Sequence, residues 1–538
     1  MQNLVTVPKD IKHYILQFLT DSRDLYNLNL TCQELRHNAL PFYYNTIHVN
    51  GNVDLPVLAA GLVPTNPGLQ HLRHLVIKEP YRDDPIECQC QQCPLHSNTY
   101  TALTLLANLL PYDRLLTFTC DYIVPLPFPV LATLYRRQPK LRTLRLDSIH
   151  LDPVIASLSQ DRLANIATVY ICTSDPGEAS VWNGVLPTLC NLRNLEVIAS
   201  ADRFDGVYPL TADASSQVLA KLLDWTSQES HYKLHLHTLQ VQGFDLTDAA
   251  ETLRCHIHFP GLQILGIQLC ANSVRLLEVL YETHELESLN LRTLTIIEAK
   301  KNPESQVHNP ALSRLLSTFS TLEHIIVRTK GNAAYWPDFR AVAKHAASLR
   351  LVYLDCPVSG SPNLLIPKGS LRRLRKLEQF ALSMPNIVLA EADHVATARS
   401  FRQMRNLLNS LNALPSLHIV QMLDMELGDW GVEQNDRQVF QGYILRQMRI
   451  VADYIFKAVS NLRALSLEQC IDRDAHDRCE THSEQYYHRG RTFDAQGREQ
   501  ATAIEASLQG LKQIEPAVVI LAMEDLEDGD LFRYGYDL

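Results

Sequence analysis

Three thiols and an imidazole fall within one short stretch, Cys88-x-Cys90-x-x-Cys93-x-x-His96. Those are the ligand types of a tetrahedral zinc site. The spacing argues the other way, because structural zinc sites draw two pairs of ligands from separated segments, and one residue between the first two thiols is cramped. The stretch reads as a polar loop with reduced thiols, and no metal or other cofactor is assigned to the chain. A second group, His476, Cys479, His482 and His488, lies in the charged segment from Asp472 to Glu499. That segment reads as a long mobile insertion, not a ligand set. His231, His235 and His237 stand near the start of a strand, where His235 and His237 share a face and read as repeat surface.

Catalytic patterns are missing from the sequence. It has no phosphate-cradling glycine loop and no serine in a glycine-x-serine-x-glycine elbow, and His284-Glu285 lacks the second histidine of a zinc-protease helix. Acidic pairs such as Asp83-Asp84 read as solvated loop, and no pair qualifies as an acid and a base. The expectation is a non-catalytic protein.

The chain has 538 residues, 46% hydrophobic and 20% charged, with a formal net charge of -10. The acidic balance argues against a nucleic-acid partner, since phosphate binding draws its affinity from clustered Lys and Arg. No basic stretch followed by an apolar run opens the sequence, and no apolar segment approaches the roughly 20 residues that span a bilayer. A cytoplasmic or nuclear location without membrane contact is expected. Cys120, Cys172, Cys270 and Cys356 sit in apolar strand-like segments and read as small buried hydrophobes.

The elements that would position any site follow from a recurring hexamer, leucine-x-x-leucine-x-leucine or an aliphatic variant. It reads Leu72-x-x-Leu75-x-Ile77, Leu141-x-x-Leu144-x-Leu146, Leu236-x-x-Leu239-x-Val241, Leu262-x-x-Leu265-x-Ile267, Leu286-x-x-Leu289-x-Leu291 and Leu462-x-x-Leu465-x-Leu467. Further units begin at Leu115, Ile166, Leu192, Leu322, Leu349 and Leu377. Most successive units are separated by about 20 to 29 residues, the period of leucine-rich repeats, and longer gaps mark insertions. In each hexamer the second and third apolar residues share one face of a short strand and point inward, while the residues between them face outward and are free to read a partner.

Helical periodicity fills the segments between strands. Ser273 to Leu286 carries Leu276, Leu277 and Leu280 on one stripe with Ser273 able to cap, and Pro310 to Phe319 and Pro337 to Ala347 follow the same spacing. The predicted fold is an α/β leucine-rich-repeat solenoid of about a dozen units, parallel strands backed by helices. Its far end would be covered by a helix from about Arg437 to Val459 and a strand at Val518 to Leu521, ahead of an acidic tail holding Glu524, Asp525, Glu527, Asp528 and Asp530.

The first forty-seven residues leave this pattern and spell three short helices. Pro8 suits a helix start, followed by Ile11, Ile15, Phe18 and Leu19 at helical spacing; Asp21 and Asp24 open a second helix with Leu25 and Leu28. Thr31 and Glu34 have the spacing of a capping box for a third helix, which carries Leu35 and Ala39. So small a bundle buries little surface by itself, and apolar residues on its outer faces call for a partner.

Val7-Pro8-Lys9-Asp10-Ile11, Ile15, Leu19, Asp24-Leu25, Leu28 and Thr31-Cys32-Gln33-Glu34-Leu35 together resemble the F-box, and the repeats behind them resemble those of the F-box and leucine-rich-repeat proteins common in filamentous fungi. The resemblance implies an F-box at 1–47, a repeat domain at 48–522 and a tail at 523–538. It implies the substrate receptor of a Skp adaptor, cullin and F-box ubiquitin ligase, with the repeats holding an unknown target protein. By position, the adaptor contacts would be Pro8, Ile11, Ile15, Leu19, Leu25, Leu28 and Cys32. Val7 stands where the family has leucine, and Leu35 where an aromatic residue often follows the cysteine, departures that imply weaker adaptor affinity. Two other functions use the same architecture: a repeat scaffold without ubiquitin transfer, and a regulator of a nucleotide hydrolase, for which no catalytic side chain can be nominated.

Overall fold

The computed structural model describes residues 7–19, 22–50, 63, 65–78, 101, 104–105, 107–121, 128–147, 165–173, 176–183, 185–199, 210–223, 233–297, 311–328, 337–355, 371–383, 404–425, 437–470 and 482–514. Cys88, Cys90, Cys93, His96, His231, Cys356, His476, Cys479, the Val518 to Leu521 segment and the acidic tail lie outside the described residues. The chain divides into two compact units, Met1–His258 and Phe259–Leu538.

The first unit opens with α1 (Lys9–Gln17), α2 (Ser22–Thr31) and α3 (Gln33–Tyr43), then lays down the parallel strands β1 (Thr46–Asn50), β2 (His74–Lys78), β3 (Thr117–Asp121), β4 (Thr143–Asp147), β5 (Thr168–Cys172), β6 (Asn194–Ile198) and β7 (Thr238–Gln242) in sequence order. The hexamer sets the register. Leu75, Phe118, Leu144, Val169, Leu195 and Leu239 stand side by side across neighbouring strands. None of the six is more than 3% exposed. Each such side chain contributes roughly 1.5–3 kcal/mol by burial, and its partners are the equivalent residues of the two adjacent repeats. Cys120 is buried in this layer, and Cys172, on the opposite face of β5, is buried as well.

The second unit repeats the plan with β8 (Ile264–Gln268), β9 (Thr293–Ile297), β10 (His324–Arg328), β11 (Leu351–Asp355), β12 (Gln379–Ser383), β13 (Ile419–Met425) and β14 (Ala464–Cys470), all parallel. Helices fill the connections. Those over Ser273–Leu286 and Ala311–Leu316 bury Leu276, Leu277, Leu280, Leu312, Leu315 and Leu316, none more than 1% exposed. Thus both units are leucine-rich-repeat solenoids of parallel strands backed by helices, and three helices precede the first.

Several sequence expectations are corrected. The hexamer at Leu286 is the end of a helix and the turn after it; the strand uses the overlapping Leu291-x-x-Leu294-x-Ile296 instead. Both frames fit the leucine pattern, but Thr293, Thr295, Ile296 and Ile297 suit a strand, and Glu287, Ser288 and Asn290 do not. Ser273 is not a cap: Asn272 holds that position in the left-handed region at φ 54°, and the buried Ser273 hydroxyl turns back to the Cys270 carbonyl at 3.5 Å. The helix expected from Pro337 to Ala347 is only Phe339–Val342 followed by a tight turn, capped by Asp338, whose carboxylate accepts from the Arg340 N–H at 2.8 Å.

The charged stretch expected to be a mobile insertion supplies β15 (His482–Phe493), which pairs antiparallel with β14 and with β16 (Glu499–Ala506). Tyr487 is fully buried, and Tyr486 on the opposite face packs against Ile419, Ala464 and Leu511, so a strand packed in part on both faces hides behind a composition that averages as polar. The helix expected near 437–459 is Arg437–Ala458, and it packs on this hairpin. A further helix, Leu508–Ile514, places Leu511 against Ile419 and Ala464.

Candidate docking surface of the N-terminal helices

Helix α1 has two apolar stripes, and the poorer one faces inward. Leu16 is 2% exposed and packs with Leu25 and Ala39, with Leu19, Leu28, Phe42 and Tyr43 closing around them. One turn before Leu16, the buried Lys12 ammonium reaches across to Glu34 of α3. The richer stripe is turned out: Ile11, Tyr14, Ile15 and Phe18 are 50%, 60%, 37% and 66% exposed. Their spacing of three and four residues makes them one continuous ridge, and the Tyr14 and Phe18 rings meet edge-on with centroids 4.9 Å apart. On α2, Tyr26 and Leu30, one turn apart, are also exposed.

The helices are firmly joined to the first strand. Tyr44 follows α3 and lays its ring where Gly68 has no side chain; a Cβ there would sit 2.3 Å from the ring. The Tyr44 hydroxyl accepts from the Asn66 amide at 3.3 Å, and the Asn45 carbonyl accepts from the Arg73 and His74 N–H groups at 2.9 and 3.0 Å. Burial, then the neighbouring Tyr44 and Tyr26, push the Tyr43 phenol up from its ordinary value. The bundle is therefore ordered on its inner side while its outer ridge stays uncovered among the described residues.

Of the contacts named from sequence, Ile11 and Ile15 are on the exposed ridge, and Pro8 and Cys32 are exposed at the starts of α1 and α3. Leu19 and Leu28 are half-buried at the edge of the bundle's own core, and Leu25, 6% exposed, lies inside it. The capping box does not form. Thr31 ends α2 and donates back to the Leu28 carbonyl at 2.8 Å, while Glu34 is engaged by Lys12. Tyr14, Tyr26 and Leu30 were missed by sequence reasoning. The signal for Tyr14 was present in its spacing from Ile11 and Phe18, but tyrosine does not announce which face it takes.

The outward strand positions divide by unit. In the first, His48 is exposed and Val76, Thr119, Arg145, Tyr170 and Glu196 are half-buried, with the Arg145 guanidinium 5.6 Å from the Tyr170 ring centre on the next strand. In the second unit this face is buried: Ile326, Tyr353 and Ala381 at the equivalent positions join Ile297, Leu351 and Leu423 of the same face in a second apolar cluster. Beside it Arg328 Nε stands 3.1 Å from Asp355, whose other oxygen accepts from the Ser383 hydroxyl. Burial, then the Asp355 carboxylate, hold the Tyr353 phenol well above its ordinary value. The expectation that outward residues are readable therefore holds from His48 to Glu196 and fails at Gln240 of β7, 2% exposed, and in the second unit, where Thr295, Gln421 and Ser466 are buried beside the apolar cluster.

Among the described residues no group of three or more His, Cys, Asp and Glu could hold a metal ion, and no helix is long and apolar enough to cross a membrane. His235 and His237 are both exposed beside the buried Leu234 and Leu236, with the His235 ring 4.5 Å from that of His258.

No family model matches the chain, and no curated protein matches it. Among solved structures it is similar to a chain in "Crystal structure of Rad7 and Elc1 complex in yeast", with a TM-score of 0.38 and 12% identity over 79% of this chain and 94% of that one. A likeness of this size carries no functional argument.

Proposed function

We propose that the chain is the substrate-recognition subunit of a Skp adaptor, cullin and F-box ubiquitin ligase, in which the three helices dock on a Skp-type adaptor and the repeats hold the target. The observation that carries this reading is the uncovered ridge of Ile11, Tyr14, Ile15 and Phe18 on a bundle whose inner face is already satisfied. Large apolar side chains left in water carry a free-energy cost, and a partner that covers them recovers part of the roughly 1.5–3 kcal/mol that full burial of each is worth. The F-box-like sequence at 1–47 supports a Skp-type adaptor as that partner.

On this reading the chain makes and breaks no bonds. It raises the effective concentration of a target lysine beside a loaded conjugating enzyme. The half-exposed residues Val76, Thr119, Arg145, Tyr170 and Glu196 of the first unit are the side chains available to read the target.

The test is co-expression with a Skp-type adaptor. Ile15→Asp with Phe18→Asp changes only exposed residues and is expected to weaken adaptor binding by at least about thirtyfold, equivalent to ~2 kcal/mol. Leu25→Asp is no substitute, because it places a charge in the bundle's own core. Undiminished co-purification of the double variant, with repeats folded by circular dichroism, would refute the proposal.

A further inference from the structure

The hairpin at the end of the second unit has one strand longer than its neighbour. The ladder between β14 and β15 runs from Cys470 opposite His482 to Ala464 opposite His488, and closes with the Arg489 N–H donating to the Arg463 carbonyl at 2.9 Å. Strand β15 continues to Phe493, and Gly490–Phe493 pair only on their other side, with Glu499–Thr502 of β16, among the described strands. Backbone groups of alternate residues point the same way along a strand, so those of Arg491 and Phe493 face the side on which β14 has ended.

That open edge borders a cleft of about 540 Å³ lined by Arg463, His488, Arg489, Gly490, Arg491 and Glu499 among others. Three arginines and one glutamate line it, in a chain whose net charge is -10. Arg489 is committed to the fold, donating to the Phe456 and Val459 carbonyls at 2.8 and 3.1 Å at the end of the Arg437–Ala458 helix. Arg491 is 78% exposed and meets Glu499 at 3.3 Å, an exposed and therefore weak pair that a visiting carboxylate replaces at little cost. Phe493, 70% exposed, closes the row. The outer edge of β16 is treated differently: Asp453 accepts from the Ala503 N–H at 2.6 Å and from the Thr502 hydroxyl at 3.0 Å, which occupies a backbone donor that a visiting strand would need.

We propose that this cleft docks an extended acidic peptide of a partner protein, which adds as a short strand along Gly490–Phe493 while its carboxylates meet Arg463 and Arg491. Main-chain bonds supply affinity and the cations supply the choice of sequence. The inference stands apart from the adaptor assignment, which concerns the other unit.

The experiment is fluorescence anisotropy of the full chain with a labelled eight-residue peptide alternating valine and glutamate. Binding is expected to weaken about tenfold or more in Arg463→Glu with Arg491→Glu, and to weaken again when salt rises and screens the exposed charges. The same peptide methylated at alternate backbone nitrogens keeps its charge and is expected to lose binding to the unaltered chain, an arm that needs no variant to fold. Equal binding by the charge-reversed variant, equal binding of the methylated peptide, or equal binding of a valine and lysine peptide would each overturn the proposal. Tighter probe binding to a chain shortened after Ala522 would also overturn it, by assigning the cleft to this chain's own acidic tail.

Discussion

Acidification is expected to weaken the second unit through one buried imidazole. His345 is 1% exposed, packed edge-on against Phe319 with ring centres 4.9 Å apart. Its Nδ1 accepts from the Leu322 N–H at 3.2 Å and its Nε2 faces the Leu316 carbonyl at 3.1 Å, an arrangement that requires the proton on Nε2. A second proton would set an N–H against the Leu322 N–H in a dry site. Burial accordingly lowers its pKa to about 4, against a contrary pull from the Leu316 carbonyl. In the unfolded chain the ring titrates near its ordinary value of 6.5. Between those values the unfolded state takes up a proton that the folded state refuses. The contribution is therefore whole above pH 6.5 and is lost as pH falls toward 4. At ~1.36 kcal/mol per pKa unit the full loss is about 3 kcal/mol, of which about 2 kcal/mol has gone by pH 5. Urea unfolding of the chain and of His345→Gln at pH 7, 6 and 5, followed by circular dichroism, measures it. The variant, which has no imidazole to protonate, is expected to lose less stability over that range. Parallel losses in the two proteins would refute the reasoning.

Three other outcomes follow from the packing. Gly243→Ala is expected to cost more than about 1 kcal/mol in urea unfolding, because the residue sits at φ +77° and a Cβ would lie 2.8 Å from the Ala199 carbonyl oxygen. Leu294→Ala removes a fully buried side chain stacked between Leu265 and Ile325 and is expected to cost about 2–5 kcal/mol, with hydrogen exchange rising mainly in the adjacent repeats. Arg489→Met leaves the Phe456 and Val459 carbonyls without their charged donor, and is expected to loosen the β15–β16 hairpin by roughly 1.5–3 kcal/mol, read as faster exchange at 482–506.

How much of this was legible in the sequence depends on whether a single period decided the matter. Where leucines recur every two residues in a short strand and every three or four in a helix, as from Leu262 through Leu280, element and face could both be read. Where two frames overlap, as at Leu286 and Leu291, the leucine pattern was degenerate and β-branched neighbours chose the strand. The hairpin was hidden because β15 sets Tyr486 and Tyr487 among polar and charged residues, so a window average reads it as loop. In the second unit the outward residues Ile326, Tyr353 and Ala381 are apolar in sequence, and that was the overlooked sign that this face is covered too.

The N-terminal helices show the same limit at the candidate site. Periodicity found α1 and its apolar residues, but the inward stripe holds a lysine, and only the pairing of Lys12 with Glu34 explains how that face came to be the buried one. With that pairing made, the richer stripe has no place inside. Leu25, by contrast, was expected from the resemblance to touch the adaptor, yet it lies in the bundle's own core.

The most direct measurement of the central claim is hydrogen exchange of the chain with and without a saturating Skp-type adaptor. The account predicts new protection concentrated in α1 around Ile11–Phe18 and in α2 around Tyr26–Leu30, with the strands of the second unit unchanged. An adaptor that binds without protecting α1, or that does not bind at all, would contradict it.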